Sequence, residues 1–466
     1  MSQISLSSID SSLIEEISSK RNEPNWLREY RKNSLSVYHD LPAEVSPLYN
    51  KYTDARKMNP EQVSLSTSSD SSVPDFLAKR LDEIKNEISI VQIGSNIHSI
   101  NIDDELKSKG LVISSLDDAL QNHSELIQKA LEDSNSKEDK YTALNNAAFN
   151  SGVFVYVPQN LTLDKPIHLL SCLSLDGIST ISRNIIIAEK NTHASIVQEL
   201  YAPKMSKQQA YLELLNTRIG ENSKLDFTTF QIMDQSAVNF STRRTHLAQD
   251  AKINLYLGLF GSMLSRYRIE YHLNGTGSAV NDAEVIFGNN DQSFDLNIIV
   301  NHNAQSTEGK IVEKSILKDT SKSLFKGMVR INEQAGQSKS FLSGRSILLS
   351  KGARSDSIPG LEIFTNDVKA THSASVAQVD DEQIFYLGTR CLNRSEAERI
   401  IVEGFLEPLS RIMSYQVRAW LANIIESKWM NTELTINMDD QLKSIVEVEE
   451  TRYNENDEVE QHYKYR

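Results

Sequence analysis

The chain has 466 residues, of which 39% are hydrophobic, and a formal net charge of -14. That length accommodates two or three packed units, or one elongated solenoid with helical ends, and the charge argues against sequence-independent nucleic-acid binding, which relies on Lys and Arg neutralising phosphates. No run of about eighteen apolar residues occurs, so no membrane-spanning helix is expected, and the 2 cysteines are too few for a disulfide framework or a four-thiolate cage within one chain.

The start, MSQISLSSIDSSLIEE, is acidic where a secretory signal is basic and then apolar, so the expectation is a cytoplasmic protein without an export or transit peptide. Ile9 to Tyr38 reads as two helical segments separated by Pro24, with Asn25 as the cap before Trp26, Leu27 and Tyr30. Pro42 to Val73 reads as a linker, and SLSTSSDSS is its best candidate for local disorder. Pro74 to Ile88 predicts an amphipathic helix with Phe76, Leu77, Leu81, Ile84 and Ile88 on one face. SIVQIGSNIHSINI then reads as a strand or hairpin, and Leu116 to Phe149 as a second helical region. Residues 1–151 are therefore expected to form a helical and α/β region.

From Gly152 the pattern turns to strands. Runs such as KINLYLGLF and RYRIEYHL alternate with a period near two, one face inward and one outward. Polar corners at Gly220–Lys224, Gln249–Lys252, Gly275–Ser278 and Ala304–Glu308 recur roughly every 27 to 30 residues. Between Ser306 and Gln378 a finer repeat of about sixteen or seventeen residues emerges: MVRI, SILL and LEIF each precede a corner built on Gly336, Gly352 or Asn366 with Asp367. Taking that repeat as the coil, two coils fill each longer interval, and residues 152–379 predict one parallel β-helix. The alternative, an antiparallel sandwich, would call for hairpin dipeptides such as Asn-Gly between paired runs, and these are scarce.

A helical period returns at Asp380. Ser395 is placed as the cap of EAERIIVEGFLEPLSRIMSYQVRAWLANIIESKW, with Glu398 completing an S-x-x-E capping box. Ile400, Ile401, Phe405, Leu409, Ile412 and Met413 recur at helical spacing, a stripe suited in part to a second protein. Residues 380–430 form the expected helical domain, and 431–466 an acidic, poorly ordered tail.

The ordered run SILLSKGARSDSIPGLEIFTNDVKATHSASVAQVDDEQIFYLGTRCLNRSEAERIIVEGFLEPL resembles the SufB/SufD scaffold proteins of the Suf iron–sulfur cluster assembly system, the SufD branch more than SufB. NEPNWLREYRKNSLSVYHDLP is similar to their N-terminal helix. The resemblance implies a mainly β fold, a right-handed parallel β-helix flanked by an N-terminal α/β region and a C-terminal helical domain, in a protein that is not itself an enzyme. It further implies a SufC-type ATPase docked on the C-terminal helices, with Glu398, Ile401, Phe405, Leu406 and Pro408 as candidate docking residues. Pairing with a SufB-type scaffold or with a second copy, a transient iron–sulfur cluster at the subunit interface, and reduced flavin in the complex belong to the same expectation.

Within the resemblance, His372 of VKATHSAS stands where family members place a histidine proposed to hold the nascent cluster. A neutral imidazole is a competent iron ligand; the alternative is a hydrogen bond across a coil corner. Two departures matter. Ala370 stands where SufD proteins commonly carry cysteine, and Arg345 lies nearest the position of the essential cysteine of SufB. They favour a supporting SufD-type role over direct scaffolding by this chain alone.

Cys172 and Cys391 are expected to be buried or half-buried small hydrophobes. His98, His168, His193, His246, His272 and His302 show no zinc-site spacing, and no P-loop is present, so ATP chemistry is assigned to another protein. Two competing functions remain. One is a stand-alone homodimeric cluster scaffold. The other is a carbohydrate-active β-helix with Glu313, Arg330, Arg345 and Glu362 lining an outer groove in successive coils.

Overall fold

The computed structural model describes residues 4–42, 57–65, 72–132, 136–410, 413–430, 432 and 436. They divide into two compact units. One comprises Met1–Asp75 and Leu81–Asp380, the other Phe76–Arg80 and the residues from Asp381. The expected acidic tail, apart from residues 432 and 436, and most of SLSTSSDSS lie outside the described residues, although Ser64–Leu65 forms a short strand.

The N-terminal elements of the first unit are β1 (Ile4–Ser5), α1 (Ser11–Lys20), α2 (Asn25–Asp40), β2 (Ser64–Leu65), β3 (Ser89–Ile93) and β4 (Asn96–Asn101); helix α3 (Ala78–Ile84), whose residues up to Arg80 belong to the second unit, precedes β3. Then come α4 (Asp104–Ser108), β5 (Val112–Ser115), α5 (Leu116–Asn122), α6 (Ser124–Glu132) and α7 (Lys140–Ala148). The strands that follow are β6 (Val153–Val157), β7 (Ile167–Cys172), β8 (Ile178–Ala188), β9 (His193–Ala202), β10 (Gln209–Ile219), β11 (Lys224–Met233), β12 (Ala237–Leu247) and β13 (Lys252–Leu259). The series continues through β14 (Leu264–Leu273), β15 (Ala279–Gly288), β16 (Ser293–His302), β17 (Glu308–Leu317), β18 (Lys322–Ile331), β19 (Lys339–Leu348), β20 (Arg354–Ile363) and β21 (Lys369–Gln378).

Successive strands alternate between two sheets. One runs β1-β2-β8-β10-β12-β14-β16-β18-β20 and the other β21-β19-β17-β15-β13-β11-β9-β7-β3-β4. Pairings such as β10 with β12 and β17 with β19 are parallel, and the stack is a parallel β-solenoid of about eight turns. Lys224 lies beside Lys252, Lys252 beside Ala279, Ala279 beside Glu308, Glu308 beside Lys339 and Lys339 beside Lys369, so one coil takes 27 to 31 residues. The finer repeat read from the sequence is therefore half a coil. A coil contains two strands and two corners, and each strand-plus-corner half presents the same apolar-then-polar pattern.

The corners stack as regularly as the strands. Asn160, Asn191, Asn222, Asp250, Gly277, Ser306 and Gln337 all adopt positive φ, a region that Asn and Asp tolerate better than most side chains. Asn191 Nδ2 donates to Asn160 Oδ1 at 2.9 Å, and Asn222 Nδ2 to Asn191 Oδ1 at 3.0 Å.

At the N-terminal end, β3 and β4 form an antiparallel hairpin that closes one sheet, while α1, α2 and α7 supply side chains to a hydrophobic cluster that includes Ile181, Ile185, Leu212 and Phe240 of the first coils. A buried ion pair fixes this cap. Arg31 Nε and Nη2 donate to Glu23 at 2.8 and 2.7 Å, Nη1 donates to the Ala147 carbonyl at 3.1 Å, and the guanidinium lies 3.6 Å from the centre of the Phe149 ring. Asn25 is not the cap. Pro24 holds that position and α2 starts at Asn25 with no side-chain cap bond, because the proline already has an extended ψ that leads into the first turn.

The second unit contains α8 (Asp381–Gly388), α9 (Arg394–Ser410) and α10 (Tyr415–Met430). The expected Ser395–Glu398 box is replaced by one formed two residues earlier: Asn393 Oδ1 accepts from Glu396 N at 3.0 Å and Glu396 Oε2 accepts from Asn393 N at 2.8 Å. Ser395 Oγ instead accepts from Trp429 Nε1 at 3.1 Å. The buried face of α9 is Ala397, Val402, Leu406 and Leu409, which leaves Ile400 exposed and Ile401 and Phe405 half-buried; Ile412 lies outside the described residues.

Inside the solenoid, the space between the sheets is not purely apolar. Arg243 donates to Glu213 from Nη2 at 3.0 Å and from Nε at 3.1 Å, to Thr229 at 2.8 Å and to Gln198 at 2.8 Å. Burial by itself raises the Glu213 carboxyl, but the Arg243 guanidinium and hydrogen bonds from Ser241, Gln198 and Asn184 hold it below the usual carboxylate range. Removing one member strands a charge in the core, so Arg243→Met is expected to cost about 3–5 kcal/mol, whereas Arg243→Met with Glu213→Leu returns close to wild type. Urea denaturation of the two variants measures this; a single variant as stable as the double one contradicts it.

Candidate functional site

The last coil differs from all those before it. Among the described residues no strand pairs with the outer edge of β20 or β21, so both present unpaired backbone donors and acceptors. Pro359 lies within β20, a position compatible only with an edge. Ile363 and Val376 are 41% and 44% exposed, and Phe364 in the adjoining corner is 61% exposed.

His372 lies in β21 opposite Leu342, which lies opposite Ile311, which lies opposite Asp282. This file faces inward: Ile311 and Leu342 belong to the core cluster, and the side chain of Leu342 reaches to where a Cβ on Gly327 of the other sheet would stand. His372 continues the file onto a coil with nothing stacked on it, and its imidazole is exposed. Alternation places Ala370, His372, Ala374 and Val376 of β21 on this face, and Ser355, Ser357, Pro359, Leu361 and Ile363 of β20 across from them. No thiol, carboxylate or second imidazole joins His372 there, and no group of three His, Cys, Asp or Glu side chains arranged to hold a metal exists among the described residues. Among the described residues this face thus presents a single imidazole at the mouth of the core.

The remaining candidates are dispersed. Ala370 is half-buried and packs against the core, and Arg345 is exposed on the outer face. Cys172 is buried in β7, with Sγ 3.2 Å from the Leu173 carbonyl and its thiol pushed up by burial. Cys391, expected to be buried or half-buried, is exposed. It has φ 65 and lies in the connection between α8 and α9.

The outer groove does not form. Glu313 points into the core with 1% exposure, because it shares the inward parity of Ile311. Arg330 and Glu362 form an ion pair at 2.6 Å on the outer face of one sheet, whereas Arg345 belongs to the other sheet. In the second unit, α9 and α10 flank a groove of about 270 Å³ lined by Val402, Leu406, Leu421, Ile425 and Trp429 and edged by Arg399, Glu403, Arg418 and Glu426. Of the docking candidates, Leu406 lines it, Glu398 accepts from Arg394 at 2.9 Å, Ile401 and Phe405 are half-buried and Pro408 is exposed.

Sequence reasoning missed the titratable core. Asp282, Glu284 and Glu313 are buried, and the available signal was parity: each falls at a position where the alternation of neighbouring strands demands an apolar side chain.

Comparison with known proteins agrees with the geometry. The family profile described as SUF system FeS cluster assembly, SufBD core domain, matches residues 173–405, and that of the SufBD protein N-terminal region matches residues 23–169. An iron–sulfur cluster assembly SufBD family protein of Staphylococcus aureus (strain USA300) is 26% identical over 431 residues, covering 89% of this chain and 91% of its own length. A protein of the same description from Staphylococcus saprophyticus has the same identity over the same coverage. The core profile begins one residue after β7 and ends inside α9, and it takes in every coil from β8 to the open end. On these matches the chain belongs to the SufBD family of iron–sulfur cluster assembly proteins.

Proposed function

We propose that this chain is the SufD-like member of a cytoplasmic cluster-assembly complex, pairing through its last coil with a SufB-type scaffold and through its C-terminal helices with a SufC-type ATPase. The observation that carries the reading is the unpaired edge of β20 and β21 with His372 on its inward face. A second solenoid laid against that edge would satisfy its backbone groups and cover Ile363, Phe364 and Val376. His372 would then lie at the seam, where an imidazole nitrogen can ligate iron of a nascent cluster that is cargo rather than a resident group. Ala370 and Arg345 supply no thiolate, which supports a partner chain as the source of sulfur ligands. Reduced flavin belongs to the same expectation for the complex and rests on the resemblance alone.

For the ATPase, the groove between α9 and α10 has an apolar floor and a charged rim of both signs, suited to an inserted apolar side chain with polar surroundings. ATP-driven association of two ATPase subunits would then pull on the two scaffolds and open their seam.

Two experiments test these assignments. The full chain is expected to co-purify with a SufC-type ATPase, and Phe405→Ala to weaken that association by roughly 30-fold, about 2 kcal/mol, with unchanged circular dichroism; no association even with nucleotide present refutes the docking. Anaerobic reconstitution with a SufB-type partner is expected to give a visible chromophore that His372→Ala diminishes, while the chain alone stays colourless. A stable chromophore in the isolated chain that His372→Ala abolishes would instead establish the stand-alone homodimeric scaffold.

A further inference from the structure

Beyond the Arg243–Glu213 pair, the solenoid core holds three further carboxyls on two consecutive coils of one sheet. Glu284 of β15 lies directly opposite Glu313 of β17, and Asp282 is two residues from Glu284 on the same inward face. Asp282 Oδ2 accepts from Tyr271 OH at 2.8 Å and Glu313 is hydrogen-bonded by Ser315 Oγ. Neither oxygen of Glu284, nor Oδ1 of Asp282, has a hydrogen-bond partner.

Among the described residues the Arg243 guanidinium is the cation that favours ionised Asp282 and Glu284, and burial outweighs it at both. Across the core, β14 presents Tyr267 and Tyr271, and β12 presents Arg243, whose hydrogen bonds run to Glu213, Ser241, Thr229 and Gln198 and not to these carboxyls. The adjoining inward positions of β13, β16, β18 and β19 are apolar at Leu257, Ile298, Phe325 and Leu342. His302 is the one further titratable group of the core near this end, bonded to Thr307 Oγ1 at 2.7 Å and held neutral by burial, its pKa lowered to about 4. Three ionised carboxylates in such a space would carry a desolvation cost that their few hydrogen bonds and Arg243 do not offset, and the described residues form no metal-holding group of three. Protons are the remaining way to neutralise the cluster.

We propose that Asp282, Glu284 and Glu313 form a proton-holding site in the solenoid core, occupied near neutral pH and emptied in mild alkali, and that emptying it opens the coils around β15 and β17. Burial pushes Glu313 up to about 8, and burial followed by repulsion from Asp282 and Glu313 pushes Glu284 well above the ordinary range. Glutamate in an unfolded chain titrates near ~4.3. The stability contributed by these folded-state protons is therefore complete below the unfolded-chain values and is lost as pH rises through about 7 for Asp282 and about 8 for Glu313. Gly344 and Gly327 seal the site on the side of the last coil, since Phe325 and Leu342 fill the space where their Cβ atoms would stand. The site is thus separate from the mouth where His372 lies.

Amide hydrogen exchange of the full chain, corrected for intrinsic base catalysis, tests this. Between pH 6 and pH 8, peptides spanning 279–317 are expected to open about tenfold more readily per pH unit for each proton released, while peptides spanning 178–219 change little. Glu284→Gln with Glu313→Gln is expected to flatten the dependence in 279–317. A wild-type profile in which both regions respond alike overturns the proposal on its own, even if the double variant fails to fold; Glu284→Gln alone then gives the second reading. A double variant with the wild-type slope, or wild-type protection lost on adding a metal chelator at pH 6, also overturns it, the latter in favour of a bound cation.

Discussion

A stack of parallel strands satisfies the backbone of every strand except the outermost, and the two ends of this solenoid meet that constraint differently. At the start, the chain folds back on itself: β3 and β4 make an antiparallel hairpin, β5 pairs antiparallel with β6, and helices pack their apolar faces on the first coils. At the far end no strand of the described residues performs the same service. The residues of the final coil fit such an edge. Pro359 lacks an amide hydrogen to leave unpaired, and Thr371, Ser373 and Ser375 present small polar groups outward. An unpaired edge of this kind is a template for an added strand, and the family to which the sequence belongs assembles clusters.

The interior follows a second constraint. Two sheets facing each other leave a core only as wide as two side chains, so any polar residue with inward parity must be satisfied by a neighbouring coil or by the opposite strand. Arg243 reaches Glu213 in the adjacent strand of its own sheet and Gln198 and Thr229 in the other. It ties together three coils with one guanidinium. Asp282, Glu284 and Glu313 lack such a counterpart, which separates a structural ion pair from a cluster that depends on solution conditions.

Much of this was legible in the residues. Alternation in KINLYLGLF and RYRIEYHL, together with scarce hairpin turns, pointed to parallel coils, and polar clusters marked the corners. The corner spacing of roughly 27 to 30 residues already held the coil length, but the two halves of a coil look alike, so the half reads as the whole; the register of Lys224 on Lys252 or Lys339 on Lys369 distinguishes them. Helix starts failed for a similar reason. Asn393–Glu396 and Ser395–Glu398 have the same three-residue spacing, and the choice fell to Asn393 because Ser395 is engaged by Trp429. Cys391 was read by its composition as a small hydrophobe, but its left-handed backbone leaves it in a surface connection. Glu313 was read by its charge as a surface residue, when the parity it shares with Ile311 placed it inside.

Parity also governs His372. Successive residues of a strand face opposite ways, so the imidazole looks toward the core axis only because an even number of steps separates it from Ala370 and Ala374. A single uncharged residue inserted between Thr371 and His372 would leave strand count and net charge unchanged, yet turn the ring to the outer surface and Ser373 to the inner one. Which face of the sheet carries the imidazole is therefore written in an odd-or-even count of backbone steps as much as in the identity of the side chain.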